Sequence, residues 1–585
     1  MKKRTIMCGE LRREHVGQTV TLYGWVNRFR DHGGVIFVDL RDYTGVVQTV
    51  FSPEETPHAH DTARDLRNEF VICVEGVVRS RPEDTVNPEL LTGDVEVVGT
   101  AVHVLSKAQT TPFRVADDTD AGEDLRLRYR YLDLRRPVMQ RNFRLRHRVC
   151  LAVRQYFDRA GFVDVETPVL IKSTPEGARD FLVPSRLNPG RFYALPQSPQ
   201  LLKQLLMVSG LDKYYQIARC FRDEDLRADR QLEFTQIDVE MSFTDEDDVM
   251  AISEGMMAAI YQEVGRRIEL PFKRLTYREA MDRFGTDKPD TRFGMELVDV
   301  TSIASQSQFR IFREAIESGG IVKGIRVPGY SGASRKELDE LTQFVGIYGA
   351  RGLAWIKVTD KGVESPIKKF FTESGLEALR AQFGASQGDA LLLVADAPDV
   401  VADALANLRL RLGEQLRLIL SDKHELIWIL DFPLFKREED GSLGAEHHPF
   451  TAPREEDLHL LETDPLKVRA RAYDIVLNGN EIGSGSIRIH DSSLQERIFR
   501  VLGISEQEAQ DRFGFLLEAF GYGAPPHGGI AFGLDRIVML LTGEDTIRDV
   551  IAFPKTQKGA CLVTGAPSSV EPKQLKELSV KVDLG

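Results

Sequence analysis

The chain has 585 residues, enough for three or four domains, and its 42% hydrophobic and 28% charged residues are typical of a soluble globular protein. It contains no apolar run of about 18 residues, which excludes a membrane-spanning helix, and its basic N-terminal segment lacks the apolar core of a signal peptide. The five cysteines are scattered, which argues against disulfides and structural zinc and predicts a cytoplasmic protein.

The net charge of −13 lowers the expectation of nucleic-acid binding, because contacts to phosphate need cations. The sum hides local differences, however. Residues 1–50 contain eight Lys or Arg and five Asp or Glu, so the first strands are locally positive. The total charge therefore leaves a nucleic-acid partner open.

Residues 1–106 are predicted to form an all-β domain. Five runs rich in Val, Ile, Phe and Thr are separated by glycines and polar turns, at residues 19–29, 35–41, 46–51, 70–79 and 95–105. A helix is predicted between the third and fourth runs, at residues 58–67. Five strands with a helix after the third are typical of an OB-fold barrel, although another small β-domain is the alternative for this section alone.

The segment 107–134 is polar and is predicted to be a linker or hinge. A helix from about Pro137 to Arg159 follows, with a broad apolar stripe that indicates either core or a subunit interface, and then a short strand that ends at Pro168. We divide the remaining chain into a catalytic domain in two parts, 135–287 and 422–585, around an inserted α+β domain at 288–421.

The segment 214–243 is predicted to form two strands joined by a highly charged loop. Arg222 lies where the first strand reaches the loop. Strict alternation in the second strand places apolar residues on one face and, on the other, Phe234, Gln236, Asp238 and Glu240. Carboxylates on such a face cost free energy unless it is solvated or functional. An arginine for phosphate, an aromatic ring for a base and carboxylates for an ammonium would form a nucleotide and amino-acid site.

Two further clusters precede this segment. Residues 172–181 form a Gly- and Pro-containing loop that holds Glu176 and Arg179. In residues 193–207 a helix is predicted to begin near Ser198, and Gln200 and Lys203 share one of its faces. A surface turn and a solvated helix face are the plain alternatives.

Two more clusters follow the predicted insertion. Residues 472–490 predict a hairpin that turns at Asn478-Gly479, in which two carboxylates on paired strands, Asp474 and Glu481, could hold Mg²⁺ against phosphate. Arg488 follows, and the nearby glycines would let a ligand approach the backbone. In residues 527–543, Gly533 and Arg536 lie at the N-terminal end of a predicted helix, where N–H groups favour anions, although an ordinary core helix explains the pattern equally well.

The order of these clusters resembles that of class II aminoacyl-tRNA synthetases. FRDE with its charged loop and strand is similar to motif 2, GGIAFGLDR to motif 3, and the helix and strand that end at Pro168 to motif 1, which forms the dimer interface in that family. The barrel marks the aspartate, asparagine and lysine subgroup. STPEGARDFLVP, LPQSPQLLKQ, FRDEDLRADRQ, HHPFT and GSIRIHD resemble bacterial-type aspartyl-tRNA synthetases, which also carry an insertion at 288–421.

The resemblance covers essentially the whole chain and implies an α+β multidomain fold. This fold would contain a five-stranded OB-fold anticodon-binding barrel, a class II antiparallel-sheet catalytic domain and an inserted α+β domain. The implied enzyme is a homodimer that activates L-aspartate with ATP to aspartyl-adenylate and pyrophosphate. It then transfers aspartate to the 3′-terminal adenosine of the aspartate tRNA.

The resemblance also implies roles for single residues. Lys203 and Arg488 would bind the side-chain carboxylate of aspartate, and His447 or His448 would add a donor. The α-ammonium would lie against Glu176, Gln200 and Asp238. An asparagine amide would leave the two cations unpaired, which disfavours it.

For ATP, the resemblance makes Arg222 and Arg536 the catalytic residues, on the α- and γ-phosphates, and stacks adenine on Phe234. Mg²⁺ would be held by Asp474 and Glu481. The rest of the nucleotide site would comprise Asp223, Glu224, Gln231, Gly533, Leu534 and Asp535. Positioning and charge neutralisation would perform the chemistry without a side-chain nucleophile.

In the barrel, Phe37 would stack on an anticodon base, with a place in the core as the less favoured alternative for a strand phenylalanine. The polar readers would be Arg28, Arg30, Gln48, Arg79 and Glu96. His32 stands where relatives that charge only the aspartate tRNA have leucine, and histidine there is associated with enzymes that also charge the asparagine tRNA. Both specificities stay open at this point.

Three alternatives are weaker. An asparaginyl-tRNA synthetase is disfavoured by Lys203 and Arg488, and an asparagine-synthesising paralogue is disfavoured by the barrel, which that paralogue lacks. A non-catalytic RNA-binding or regulatory protein would have no reason to keep Arg222, Arg536 and the carboxylate pair together.

Overall fold

The structure is a computed structural model that describes residues 2–174 and 177–584. The chain forms two compact units. The first comprises Met1–Arg148, Asp225–Leu232 and Val538–Gln574, and the second comprises Val149–Glu224, Glu233–Ile537 and Leu575–Gly585. No helix in the described part of the chain is long and apolar enough to cross a membrane.

The first unit begins with a closed five-stranded barrel, as predicted. Its elements are β1 (Thr19–His32), β2 (Val35–Asp42), β3 (Gly45–Phe51), α1 (Pro57–Ala63), β4 (Val71–Ser80) and β5 (Val95–Ser106). The strands close in the order β1-β2-β3-β5-β4. Ile36 and Val38 are fully buried, whereas Phe37 between them is half-buried. Since strand side chains alternate between two faces, Phe37 lies on the outer face and not in the core.

Three helices follow the barrel: α2 (Glu123–Arg128), α3 (Arg130–Asp133) and α4 (Pro137–Arg159). Helix α4 has the bounds that its apolar stripe predicts. Glu69 anchors the barrel to the segment before this helix, because its carboxylate accepts hydrogen bonds from Arg41 at 2.7 Å and from Arg135 at 2.8 Å. The guanidinium of Arg135 also lies over the ring of Trp25, 5.0 Å from its centroid.

The second unit opens with β6 (Val163–Asp164), β7 (Leu182–Pro184), β8 (Phe192–Ala194), α5 (Gln200–Val208), β9 (Lys213–Phe221), β10 (Glu233–Ser242), α6 (Glu246–Gln262), β11 (Lys273–Thr276) and α7 (Tyr277–Phe284). The strand predicted to reach Pro168 is wrong beyond Asp164. Strand β6 pairs with β9 only at Tyr214 and Tyr215, and Thr167 then bonds to Gln216 through its side chain.

The insertion contributes β12 (Leu297–Asp299), α8 (Thr301–Ala304), α9 (Arg310–Glu317), β13 (Ile321–Val327), α10 (Arg335–Gly346), β14 (Ala354–Thr359), β15 (Gly362–Glu364), α11 (Glu373–Gln382), β16 (Ala390–Asp396) and α12 (Pro398–Gln415). Its antiparallel sheet has the order β12-β13-β16-β14-β15. Strand β16 is apolar on both sides because Leu392 and Val394 belong to one hydrophobic core and Leu391 and Leu393 to another. The sheet is therefore covered on both faces.

The chain continues through β17 (Leu426–Leu430), β18 (Phe435–Arg437), β19 (Leu443–Ala445), β20 (Ala472–Leu477), β21 (Asn480–Ile487), α13 (Ser492–Val501), α14 (Glu506–Phe520), β22 (His527–Gly533), α15 (Leu534–Thr542) and α16 (Pro572–Glu577). Short 3₁₀ turns occur at Cys8–Glu10, Arg13–His15, Glu83–Thr85, Lys368–Phe370, Glu455–Leu460, Pro465–Lys467 and Ile547–Asp549.

An eight-stranded sheet carries most of the predicted site residues of the second unit. Its order is β11-β17-β20-β21-β22-β10-β9-β6, antiparallel except for the outermost pair at each end. The predicted hairpin of β20 and β21 turns at Asn478 and Gly479, both with positive φ, as a two-residue turn requires. The sheet thus brings β10, β20, β21 and β22 together, although they are far apart in the chain.

Candidate active site

Four buried charged side chains form the centre of the site. Lys203 on α5 has its Nζ 3.2 Å from Asp238 Oδ1 and 3.3 Å from Glu240 Oε2, both on β10. Arg488, just after β21, donates from Nε to Glu240 Oε1 at 3.0 Å. None of the four is more than 4% exposed. Since burying a charge is costly unless it is paired, each cation here stabilises the carboxylates that hold it.

Glu240 is the residue of this centre that the sequence interpretation left without a role. It contacts both cations predicted to recognise the substrate. Burial alone would raise the pKa of Glu240, but Arg488 and Lys203 hold that pKa below its ordinary value. The alternation of β10, which places Glu240 two positions after Asp238 on one face, was the signal for it.

Close packing of glycines is needed around Glu240. A Cβ added at Gly529 on β22 would lie 2.1 Å from Glu240 Oε2, and one added at Gly485 would lie 2.3 Å from the carbonyl oxygen of Gly529. The glycines of β21 therefore allow close strand packing, and the predicted approach of a ligand to them stays a prediction. Nearby, His527 is also fully buried, and burial lowers its pKa.

Polar atoms beside the charged centre lack partners. Asp238 Oδ2 and Gln200 Nε2 are buried and have no hydrogen-bond partner among the described residues. Burial raises the pKa of Asp238, and Lys203 opposes that effect. An unsatisfied buried donor and acceptor suit a ligand that can both accept and donate. Glu176, predicted to complete this group, lies outside the described residues.

His447 faces the carboxylate pair. Its Nε2 lies 3.4 Å from Asp474 Oδ1, and its ring packs edge-on against Phe432 at 4.6 Å between centroids. Burial alone would lower the pKa of His447, but the Asp474 carboxylate raises it above its ordinary value. His448 turns towards the backbone instead, since its Nδ1 accepts the N–H of Phe450 at 3.2 Å.

The predicted nucleotide residues of the second unit surround the ends of β9 and β10. The guanidinium of Arg222 lies over the Phe234 ring, 5.1 Å from its centroid. Asp223 follows and donates its N–H to the carbonyl oxygen of Arg179 at 3.1 Å. Glu224 is half-buried in the same loop. The arginine and the aromatic ring predicted to serve one nucleotide are therefore in direct contact.

Residues at the start of α15 support β10. Asp535 Oδ2 accepts the N–H of Thr235 at 2.8 Å, which fixes the strand next to Phe234. Leu534 is 1% exposed and belongs to the core, and Gly533 pairs with Gln236 in the sheet. These contacts position the strand that carries Phe234.

Gln231 belongs to the first unit. Its side-chain amide accepts the N–H of Lys555 at 2.8 Å and donates to the Lys555 carbonyl oxygen at 3.0 Å. It is 1% exposed, so its amide is engaged with the backbone of this segment.

Asp474 on β20 and Glu481 on β21 form a carboxylate pair. Burial and the neighbouring Asp474 raise the pKa of Glu481, and Arg536 donates to the carbonyl oxygen of Glu481. Apart from the 3.4 Å ion-pair contact with His447 Nε2, Asp474 Oδ1 lacks a hydrogen-bond partner in the described ranges. Residues 2–174 and 177–584 contain no group of three or more side chains suited to a metal. Two carboxylates alone fit Mg²⁺, which takes most of its ligands from water and phosphate.

In the barrel, four of the predicted readers form one hydrogen-bonded row. Arg30 donates to Gln48 at 3.1 Å, Gln48 donates to Glu96 at 2.7 Å, and Arg79 donates to Glu96 at 2.7 Å. Phe37 on β2 is paired with Arg30 on β1. Arg28 and His32 are exposed at the far end of β1. Asp39, which binds Arg30 at 2.6 Å, is a member of the row that the sequence interpretation missed.

Two family models match the chain. Residues 122–557 match class II tRNA synthetases (D, K and N), and residues 20–105 match the OB-fold nucleic-acid-binding domain. The chain is 57% identical to the aspartate–tRNA(Asp/Asn) ligase of Thermoanaerobacter pseudethanolicus, over 100% of this chain and 99% of that one. It is 56% identical to the aspartate–tRNA(Asp/Asn) ligase of Geotalea uraniireducens, over 99% and 98%.

Solved structures share the fold. Asparaginyl-tRNA synthetase from Pyrococcus horikoshii, complexed with asparaginyl-adenylate, has a TM-score of 0.60 at 19% identity, covering 95% of this chain and 99% of that one. Aspartyl-tRNA synthetase from Entamoeba histolytica has a TM-score of 0.57 at 20% identity, covering 94% and 91%. The chain therefore belongs to the class II tRNA synthetases of the aspartate, lysine and asparagine group and, within it, to the aspartate–tRNA ligases.

Proposed function

We propose that the chain activates L-aspartate with ATP and transfers it to tRNA, using the residues described above. The observation that carries this proposal is the buried pair of cations, Lys203 and Arg488, held by Asp238 and Glu240. Two carboxylates balance two cations at this centre, and the side-chain carboxylate of aspartate would share the two cations with them. A neutral asparagine amide offers no such charge and cannot satisfy both cations equally.

The amino acid is oriented by its ammonium group. Asp238 Oδ2, buried and without a hydrogen-bond partner in the described chain, is the acceptor that an α-ammonium needs. Gln200 and Glu176 complete this end of the site in our proposal. Lys203 bonds to the other oxygen of Asp238, so the same carboxylate would set the distance between the ammonium and the side-chain end.

ATP occupies the neighbouring cluster in this proposal. Adenine would stack on Phe234, Arg222 would hold the α-phosphate, and Arg536 would hold the γ-phosphate. The aspartate α-carboxylate would then attack the α-phosphorus in line, with pyrophosphate leaving, and the arginines would stabilise the developing negative charge. Mg²⁺, bound by Asp474 and Glu481, would neutralise phosphate charge. His447 would keep Asp474 oriented.

The barrel would bind the anticodon. Phe37, half-buried on the outer face, offers a surface for a base, and the row that joins Arg30, Gln48, Glu96 and Arg79 offers edges for hydrogen bonds. We further propose that the enzyme is a cytoplasmic homodimer, with the family's motif 1 at its interface.

The test of this function is exchange of pyrophosphate into ATP, measured with aspartate and with asparagine separately. We expect exchange with aspartate and a preference over asparagine of several orders of magnitude. Absence of aspartate-dependent exchange would refute the proposal. The homodimer is tested separately by the mass of the chain in solution.

We propose a dual tRNA specificity as the finer function. Several relatives at 55–57% identity are named for both tRNA(Asp) and tRNA(Asn), and His32 is exposed at the end of β1 beside the predicted readers. Charging of aspartate and asparagine tRNA transcripts side by side tests it. We expect aspartate on both, and His32→Leu should depress charging of the asparagine tRNA more than that of the aspartate tRNA.

A further inference from the structure

The segment that opens the insertion reaches the carboxylate pair. The Nζ of Lys288 lies 3.6 Å from Glu481 Oε2, with the two side chains 46% and 33% exposed. Lys288 has no part in the proposed function. An ion pair this exposed contributes little to the stability of the fold, so replacing Lys288 should leave the fold intact.

Glu481 is surrounded by side chains of both charges, and Lys288 is one of the two cations among them. Asp474 and Asp287 act on this carboxylate with negative charge, and Lys288 and Arg536 act on it with positive charge. If Mg²⁺ takes the Glu481 carboxylate, the Lys288 ammonium loses its partner beside the proposed polyphosphate position. The Lys288 ammonium would then donate hydrogen bonds to phosphate oxygens of the nucleotide.

The backbone around Lys288 is held from two sides. Pro289 follows it and restricts its conformation. Asp290 is buried, and Arg292 binds its carboxylate at 2.7 Å. A Cβ added at Gly479, in the turn between the strands that carry Asp474 and Glu481, would lie 3.3 Å from Asp290 Cβ. The segment therefore packs directly on the hairpin of the carboxylate pair.

A side chain of the insertion also fixes the backbone of the segment that carries Lys288. Arg409 on α12 is 2% exposed and donates to the carbonyl oxygens of Asp290 at 2.9 Å, Phe293 at 2.7 Å and Gly294 at 3.0 Å. Its guanidinium lies 4.0 Å from the Phe293 ring centroid. Burial lowers the pKa of Arg409 to about 10, so it stays charged at neutral pH. One buried side chain thus connects the insertion to the segment that carries Lys288.

We propose that Lys288 is a polyphosphate-binding residue of the nucleotide site and that the insertion, through Arg409, is what positions it there. This inference rests on the proposed function and deepens it. It also gives the insertion a task, which is to hold a cation at the ATP site. Lys288 would contact the substrate, whereas Arg409 is a positioning residue that acts through the backbone of residues 290–294.

The first experiment compares Lys288→Met, which removes the charge but keeps the stem, with Lys288→Arg. We expect Lys288→Met to weaken ATP binding, measured calorimetrically with Mg²⁺ and without aspartate, on the order of tenfold. The KM for ATP in pyrophosphate exchange should rise with it, while the KM for aspartate stays within about twofold. Lys288→Arg should restore most of the affinity.

The matched control is Lys273→Met, since Lys273 also pairs with a glutamate, Glu425, at 3.3 Å but lies outside the site. It should leave ATP binding unchanged. Unaltered ATP binding in Lys288→Met, or an equal loss for ATP and aspartate, would overturn the role of Lys288. The binding measurement stands even if the wild-type chain shows no aspartate-dependent exchange, so failure of the function and failure of this inference can be told apart.

The second experiment tests whether Arg409 of the insertion positions the segment that carries Lys288. Arg409→Lys keeps a charge but cannot reach three carbonyl oxygens. We expect it to raise the KM for ATP and to be non-additive with Lys288→Met in a double-mutant cycle. A lowered melting temperature with additive effects, or a parallel rise in the KM for aspartate, would show that Arg409 only stabilises the fold and would remove the insertion from the proposal.

Discussion

Lys203 illustrates how one buried residue can serve both stability and recognition. It is 1% exposed and lies within 3.3 Å of two carboxylates, each of which is fully buried. The Lys203 ammonium is already paired with Asp238 and Glu240 before a substrate binds. Its contribution to binding therefore depends on how the substrate carboxylate shares the ammonium with these two side chains. Removing it would leave the carboxylates uncompensated next to the incoming carboxylate of aspartate.

We therefore expect Lys203→Met to raise the KM for aspartate by a factor on the order of 100 or more, since a charged hydrogen bond is lost and repulsion is gained. ATP binding without aspartate should stay near the wild-type value. The control is Lys323→Met, which removes another buried lysine, on β13 of the insertion, whose ammonium pairs with Asp282 on α7 at 3.1 Å. Equal weakening of ATP and aspartate binding by Lys203→Met would contradict the assigned role.

Sequence reasoning named candidate residues of the site but not the side chains that pair with them. Lys203, Asp238 and Arg488 were predicted to be at one substrate, and they do meet. Glu240, which joins them, went unassigned because a pattern shows only which face a residue occupies. Which of His447 and His448 donates to the substrate stays a prediction; the structure adds only that His447 lies against the side chain of Asp474.

At the scale of elements, ion pairs fix how helices meet the sheet. Glu246, in the first turn of α6, receives two hydrogen bonds from Arg471, at 2.9 and 2.6 Å, just before β20. Arg454 adds a contact at 3.1 Å. Burial alone would raise the pKa of Glu246, but the arginines hold it below its ordinary value. The helix is thereby attached to the strand that carries Asp474.

Glu246→Gln should lower the free energy of unfolding at neutral pH by about 2 kcal/mol, as expected for a charged hydrogen-bonded pair. Because the folded pKa is depressed, the stabilisation is fully present above the unfolded pKa of about 4.3 and is lost as pH falls through the folded value. Urea midpoints of the two proteins should therefore converge in acid. Glu462→Gln, which breaks the exposed pair with Arg497, should leave the midpoint unchanged, and a Glu246→Gln difference that persists in acid would refute the linkage.

Secondary-structure elements were predicted best where apolar and polar residues alternate along a strand or where a turn has a distinctive sequence. The barrel strands and the Asn478-Gly479 hairpin were recognised because each pattern is local. The strand predicted to reach Pro168 was wrong because its length depends on how far β9 stays beside it. Pairing partners are a property of the sheet, which no local pattern reports.

At the scale of the whole molecule, the proposed tasks fall on different parts of the chain. Phe37→Ala should raise the KM for tRNA in charging by about tenfold to a hundredfold, the value of one base–aromatic stack. Pyrophosphate exchange with aspartate should be unchanged, because it needs no tRNA. Leu91→Ala, at an exposed apolar residue of the same barrel, is the control. A loss of exchange in Phe37→Ala would show that this residue supports folding instead.

The sequence by itself determined the membership of this chain in its family and the presence of the barrel, because both depend on local order and spacing. Only the tertiary structure decided which charges compensate one another. Arg488 and Glu240 are 248 residues apart, and Lys288 meets Glu481 across the insertion boundary. Such contacts follow from the order of strands in a sheet and from the need to pair buried charge, and both are settled only when distant segments pack together.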